Sequence, residues 1–417
     1  MSDKTQGKLL ILKHTFNNNR DKLLSVLIRG KRLLHVQAES GSEIGNIYIA
    51  KVTKVTRSAG ACYVSIRRKE FCYLLLAEAE DPTCSLLLNR EWDGTVRAGD
   101  ELLVQVKREA LKTKLPSVTT RISFSGKYTV LSTGQKHLGF SGKLKEERKK
   151  DVLSFLQEAG YVDDKKLCNI KESMGLSYGF VIRTNAASLE DNTCLLQEWR
   201  LLEEKWHNLL SYVKTRTCYS CLYEEQPTYI KNLRDIYDES YEEIVTDIPE
   251  VYENIKAYLE ENPLLGQPSV RLYQDELISL GNLYGVSSKI SAALGSHVWL
   301  KSGAYLVIEP TEALTVIDVN SGKYESKKGT PDLTAYQVNM EAAREIAFQL
   351  KLRNLSGIII VDFINMKERD NQILLKHLKQ LCHKDSVPTE VIDITPLGLV
   401  EITRKKINKT LKEQLLS

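Results

Sequence analysis

The chain has 417 residues, of which 42% are hydrophobic and 27% charged, and a formal net charge of +4. That length holds more than one core, so two to four domains are expected, and the mild charge excludes a global basic field, leaving any nucleic-acid surface as a local patch. No apolar run reaches membrane-spanning length, no signal-peptide pattern opens the chain, and eight scattered cysteines read as reduced thiols of a cytoplasmic protein rather than a disulfide framework.

Residues 9–36 carry a hairpin signal, two apolar runs around Arg29-Gly30-Lys31 that must pair with something later in the chain. Residues 46–121 read as five short strands with no convincing helix between them, the pattern of a small barrel. In residues 122–186 the segment His137–Lys143 is a glycine-containing loop whose backbone N–H groups can cradle an anion. The apolar run Tyr178–Ile182 then delivers Arg183 and Thr184 at a strand end. A guanidinium fork and a hydroxyl suit a terminal phosphate, although a strand-end Arg-Thr is more often structural. Residues 188–216 form an amphipathic helix with Leu195, Trp199, Leu202, Trp206 and Leu209/Leu210 at helical spacing, a packing stripe. Cys218 and Cys221 follow as a single Cys-x-x-Cys, which cannot by itself complete a four-ligand zinc site; buried thiols beside a strand are expected, with an intersubunit metal site or a redox pair as the alternative. Residues 227–290 are read as a strand (PTYIKNLRDIY), a helix from Pro249 and a strand near SVRLY, the expected partner of the N-terminal hairpin.

Residues 313–366 are the centre of the chain. A strand (313–323), a polar loop, a helix over Ala335–Leu352 with Met340, Ala343, Ile346, Ala347 and Leu350 on one stripe, and a second strand (356–366) make a βαβ-like unit. Asp318 sits in the first strand and Asp362 in the second. If the strands are neighbours, as a short connection favours, the two carboxylates converge at one sheet edge. Such a pair repels unless a cation lies between, and an oxygen-only set with few protein ligands suits Mg²⁺. Asn320 faces the same way and can bond a phosphate. A helix Lys367–His383, a last strand and turn, and a basic tail (Arg404, Lys405, Lys406, Lys409, Lys412) read as a solvated face complete the chain.

ALTVIDVNSGKY and NMEAAREIAFQLKLRNLSGIIIVDFINM closely resemble the catalytic core of the ribonuclease E/G family. The resemblance implies a Mg²⁺-dependent endoribonuclease in which Asp318 and Asp362 bind the metal and Asn320 contacts the scissile phosphate. GNIYIAKVTKV is similar to the opening of S1-type barrels, which stack bases on aromatics beside basic side chains. There the resemblance assigns RNA contacts to Tyr63, Tyr73 and Lys114, while the family's glycine-rich turn is replaced by RRKEFC and Lys114 is followed by Leu-Pro. It also assigns 5′-monophosphate sensing to Gly139, Arg183 and Thr184; the basic residue that the family can place to close over this sensor falls near Thr389 here, a departure that implies a weaker 5′ preference.

The implied architecture is α+β and multidomain. An N-terminal hairpin (1–40) belongs to an RNase H-like subdomain, followed by an S1-type OB-fold barrel (41–121) and a 5′-sensor region with the linking helix (122–224). The remainder of the RNase H-like subdomain (225–290) and a DNase I-like catalytic domain (291–417) complete it. Implied products carry 5′-phosphate and 3′-hydroxyl ends, from single-stranded A/U-rich RNA, in RNA decay and ribosomal RNA processing. The chain reaches Ser417 without the Cys-Pro-x-Cys of zinc-linked members, so a homo-oligomer, if formed, is not expected to be zinc-linked.

Two other classes fit the sequence less well. A non-catalytic RNA-binding protein is disfavoured by the intact Asp-x-Asn plus Asp set. A nucleotide hydrolase lacks a G-x-x-x-x-G-K loop, and the dispersed histidines do not make a zinc hydrolase.

Overall fold

The computed structural model describes residues 7–16, 21–39, 41–110, 114–169, 174–235, 241–262, 268–322 and 331–416. Two compact units emerge. One comprises residues 41–235 with 261–266, the other residues 1–40, 236–260 and 267–417. The chain opens in the second of these with an antiparallel meander, β1 (Gly7–Thr15), β2 (Asp21–Arg29) and β3 (Arg32–Ala38). Its apolar runs bury Leu10, Leu12, Leu24, Val26 and Ile28.

The unit over 41–235 begins with a closed five-stranded barrel. β4 (Ile47–Thr56), β5 (Ala61–Arg67) and β6 (Glu70–Leu75) form a meander; β7 (Glu101–Arg108) and β8 (Ser117–Thr119) close it, β8 parallel to β6 and β7 antiparallel to β4. Closure removes the unpaired edges of the sheet. The period-2 alternation sends Tyr48, Ala50, Val52, Cys62, Val64, Cys72, Leu74, Leu102 and Val104 into the centre. This is an OB-like barrel.

A second sheet in the same unit has the order β11-β12-β10-β9, formed by β9 (Ser123–Ser125), β10 (Thr129–Thr133), β11 (Gly139–Phe140) and β12 (Tyr178–Ile182). The helix Thr193–Val213 packs on it through the stripe read in the sequence, with Trp199 stacked on Phe180 at 3.5 Å. From that helix buried Glu198 accepts the backbone N–H groups of Lys127 (2.5 Å), Tyr128 (2.9 Å) and Thr129 (2.7 Å), plus the Thr129 hydroxyl. β13 (Cys221–Tyr223) pairs with β4. Within the segment PTYIKNLRDIY, Thr228–Asp235 is a helix and not the expected strand, while Ile236 and Tyr237 lie outside the described residues. Its buried residues Thr228, Tyr229, Ile230, Asn232 and Leu233 cover a helical face, so tertiary packing overrides the aromatic and β-branched bias that suggests extension.

In the other unit β14 (Glu243–Thr246) runs parallel to β1, and β15 (Ser269–Leu272) parallel to β14, giving the order β15-β14-β1-β2-β3. The last sheet has the order β16-β17-β18-β19-β21-β20, from β16 (His297–Trp299), β17 (Tyr305–Pro310), β18 (Leu314–Asn320), β19 (Gly357–Asp362), β20 (Thr389–Ile394) and β21 (Leu399–Arg404). The helices Pro331–Leu352 and Glu368–His383 bury one face of it, packing Val338, Ala342, Ile346, Leu374 and Leu378 against Ile317, Ile359 and Ile402. Arg404 departs from the expected solvated basic face. It ends β21, is buried, and pairs with buried Asp385 at 2.7 Å.

Candidate active site

β18 and β19 are parallel neighbours, and their register sets Asp318 directly opposite Asp362. Thr315, Ile317 and Val319 point into the helix-covered core, so the alternate residues Asp318 and Asn320 point to the open face. On β19 the buried Ile359 and Val361 likewise turn Asp362 outward, where it is exposed. Asn320 Nδ2 donates to Asp318 Oδ2 at 2.7 Å. Among the described residues neither aspartate is in an ion pair. The three side chains named from the sequence therefore share one side of one sheet. Two solvent-accessible carboxylates, with no cationic partner among the described residues, are a fitting donor set for a hard divalent ion that keeps most of its waters.

One supporting residue escaped the sequence reading. Asn339, fully buried in the helix Pro331–Leu352, donates to the Ile364 carbonyl (2.7 Å) and accepts the Ile364 N–H (3.1 Å). It thereby fastens the chain two residues beyond Asp362. A polar side chain inside the buried stripe of a helix was the available signal.

On the barrel, Tyr63 and Tyr73 oppose each other across β5 and β6, with ring centroids 6.4 Å apart, edge to face. Both are half-buried. Phe71, two residues from Tyr73 on the same side of β6, is exposed and was not singled out in the sequence. Lys114 is exposed and leads into Pro116, whose carbonyl accepts the Tyr73 N–H at 2.8 Å. The bulky turn that replaces a glycine-rich one places Lys69 at φ 69° and is braced by Arg67, which pairs with Glu43 (2.7 Å) and Glu70 (3.0 Å).

At the end of β12 the Thr184 hydroxyl lies 2.9 Å from that of Ser141, so the glycine loop and the strand end do meet. Gly139 pairs with Val181, and a Cβ there would stand 3.1 Å from the valine side chain. Arg183 is already engaged, donating to Asp235 (2.9 Å) and to the Gly126 carbonyl. Burial pushes the Asp235 carboxyl upward, but Arg234 and Arg183 outweigh it and hold the group below its ordinary value. The cysteine pair differs from expectation: Cys218 is half-buried and Cys221 exposed, because the turn at Tyr219 (φ 74°) brings them to the barrel surface. All eight cysteines are free, and among the described residues no helix is long and apolar enough to cross a membrane.

An open-faced carboxylate pair on a mixed sheet, carried in one chain with an OB-like barrel, is an arrangement suited to nucleic-acid processing. The model of the ribonuclease E/G family matches residues 123–407. Ribonuclease G of Salmonella typhimurium is 31% identical over 391 residues, 92% of this chain and 77% of that protein. A putative ribonuclease E of Buchnera aphidicola is 31% identical over 408 residues, covering 94% of each chain, and a ribonuclease E/G-like protein of Pyropia yezoensis is 28% identical over 399 residues. The chain belongs to the ribonuclease E/G family and is an endoribonuclease.

Proposed function

We propose that this endoribonuclease cleaves single-stranded RNA, preferring A/U-rich segments, at the centre formed by Asp318, Asp362 and Asn320, and leaves 5′-phosphate and 3′-hydroxyl ends. The observation that supports this most is the register of Asp318 against Asp362 on the open face of the sheet. The two carboxylates would hold Mg²⁺, which when bound lowers the pKa of a coordinated water and offsets charge on the phosphate. Asn320 uses one amide N–H to orient Asp318 and has a second for the scissile phosphate. Tyr63, Tyr73 and Lys114 grip the strand on the barrel by stacking and charge. Gly139, Thr184 and Arg183 receive a 5′-monophosphate, for which Arg183 has to share or exchange its Asp235 partner.

The sheet β15-β14-β1-β2-β3, a three-stranded meander extended by two parallel strands, supports an RNase H-like reading; the last sheet supports a DNase I-like one. The barrel supports an S1-type assignment. Free thiols are in keeping with a cytoplasmic enzyme of RNA decay and ribosomal RNA processing.

The test uses A/U-rich single-stranded RNA with a 5′-monophosphate or a 5′-hydroxyl, in Mg²⁺ or EDTA. Cleavage is expected with Mg²⁺ alone and lost in Asp318→Ala and Asp362→Ala. Arg183→Ala and Thr184→Val are expected to level the two RNA ends. Undiminished cleavage by either aspartate variant would place the chemistry elsewhere.

A further inference from the structure

Of the four tryptophans, Trp199 and Trp206 are buried, whereas Trp299 on the edge strand β16 is 69% exposed. One exposed apolar residue needs no explanation by itself. Its place in the sheet supplies one. Directly opposed residues share a face. Trp299 opposes Tyr305, and Tyr305 opposes Asn320. In the adjoining row His297 opposes Val307, Val307 opposes Asp318, and Asp318 opposes Asp362.

The indole therefore lies on the same open face as the carboxylate pair, two strands from Asn320, or roughly 10 Å at the usual spacing of strands. That is the scale separating a phosphate from the base of a neighbouring nucleotide. The rings are mutually supported: Trp299 packs on Tyr305 at 5.1 Å and 51°, and His297 stacks on Tyr305 at 5.8 Å. Tyr305 also lies beside Gly322 at the exit of β18, where a Cβ would stand in ordinary van der Waals contact with its ring, 3.5 Å away. Charge sets the direction. The third row on this face carries Glu309 and Glu401, so the aromatic end is the one farther from these carboxylates and the better path for a polyanion.

We propose that Trp299, backed by Tyr305, is a stacking subsite for the base of a nucleotide adjoining the scissile phosphate of single-stranded RNA. It rests on the carboxylate-centre reading above, and it adds a base contact inside the catalytic unit, separate from the aromatics of the barrel. Stacking tolerates every base, so the subsite recognises a planar nucleobase and not a sequence.

The experiment compares RNAs of one sequence in which a single abasic nucleotide is stepped along the positions flanking the cleaved bond, with the full chain as wild type, Trp299→Ala and Trp299→Phe. At one position the abasic gap is expected to lower kcat/KM of the wild type about ten- to hundred-fold. Trp299→Ala should cleave intact and gapped RNA equally, at the lower value, and Trp299→Phe should restore part of the ratio. The same base dependence in wild type and Trp299→Ala at every position would overturn the subsite, as would unaltered kcat/KM accompanied by a changed oligomeric state, which would make the indole a subunit contact. Asp318→Asn and Asp362→Asn in the same assay separate the two readings: they should lower turnover by one common factor on intact and gapped RNA, whereas Trp299→Ala lowers it only where the base is present.

Discussion

At the scale of single residues, the candidate centre depends on two positions that touch no substrate. Gly322 has φ +59° and its missing Cβ would stand 2.6 Å from the Gly303 carbonyl oxygen. Gly322→Ala therefore meets both the left-handed backbone penalty, about 1–2 kcal/mol, and a clash that only backbone movement relieves. We expect lower stability and a fall in kcat, because the movement begins two residues from Asn320. Asn339 is the second. Asn339→Ala leaves the Ile364 N–H and C=O unpaired at a cost of about 1–3 kcal/mol, and the loosened segment carries Asp362. Turnover should fall at least ten-fold with a smaller change in KM. Asn339→Asp keeps the acceptor and loses the donor, so it should be the milder lesion only if the Ile364 N–H is the bond that matters. Wild-type kinetics in both variants, measured by single-turnover cleavage, would remove Asn339 from any positioning role.

Among elements, the helix Thr193–Val213 is tied to the turn before β10 by one carboxylate. Glu198 accepts three consecutive backbone N–H groups and a hydroxyl, and Gly126 is glycine because a Cβ would lie 2.3 Å from that carboxyl carbon. Glu198→Ala strands these donors in the interior, so unfolding of this unit should become easier by about 3–5 kcal/mol. Glu198→Gln, which retains one acceptor oxygen, should lose less. Equal urea midpoints for wild type and Glu198→Ala would contradict the bonding described. This element also marks what the sequence discloses. Its apolar stripe was legible because Leu195, Trp199, Leu202 and Trp206 repeat at helical spacing. Glu198, adjoining Trp199, was not, since a carboxylate buried by a distant turn has no local signature. The strands of Asp318 and Asp362 were legible as apolar runs, and their adjacency followed from the connection. The helix Thr228–Asp235 and the exposure of Cys221 were not, because both are decided by what packs on them. Trp299 belongs with these: its meaning lies in the row of partners across the sheet.

Across the whole molecule, carboxylates paired in the fold make its stability depend on acid. In the unit over 41–235, Arg90 holds Asp93 down to about 2. Asp100 is raised by burial but lowered further by Arg90, and Asp235 is likewise lowered on balance by Arg234 and Arg183. A folded value below the unfolded one, about 3.9 for aspartate, means that the unfolded chain binds more protons between the two. The stabilisation is thus complete above pH 5 and is lost as the pH falls through the folded values. Trp199 and Trp206, buried in this unit, report its unfolding, whereas exposed Trp299 contributes little change. The urea midpoint read by tryptophan fluorescence should hold steady from pH 7 to pH 5 and fall progressively from pH 4 to pH 2.5. Asp235→Asn should lower the midpoint at pH 7 and flatten that fall, because the group that takes up the proton is gone. A wild-type midpoint unchanged at pH 2.5, or an Asp235→Asn profile parallel to the wild type, would mean that the Arg183–Asp235–Arg234 cluster is not coupled to folding. Arg183 would then be free to serve a phosphate without loss of stability. Coupling, by contrast, implies that a phosphate bound by Arg183 competes with a carboxylate that also holds the fold together.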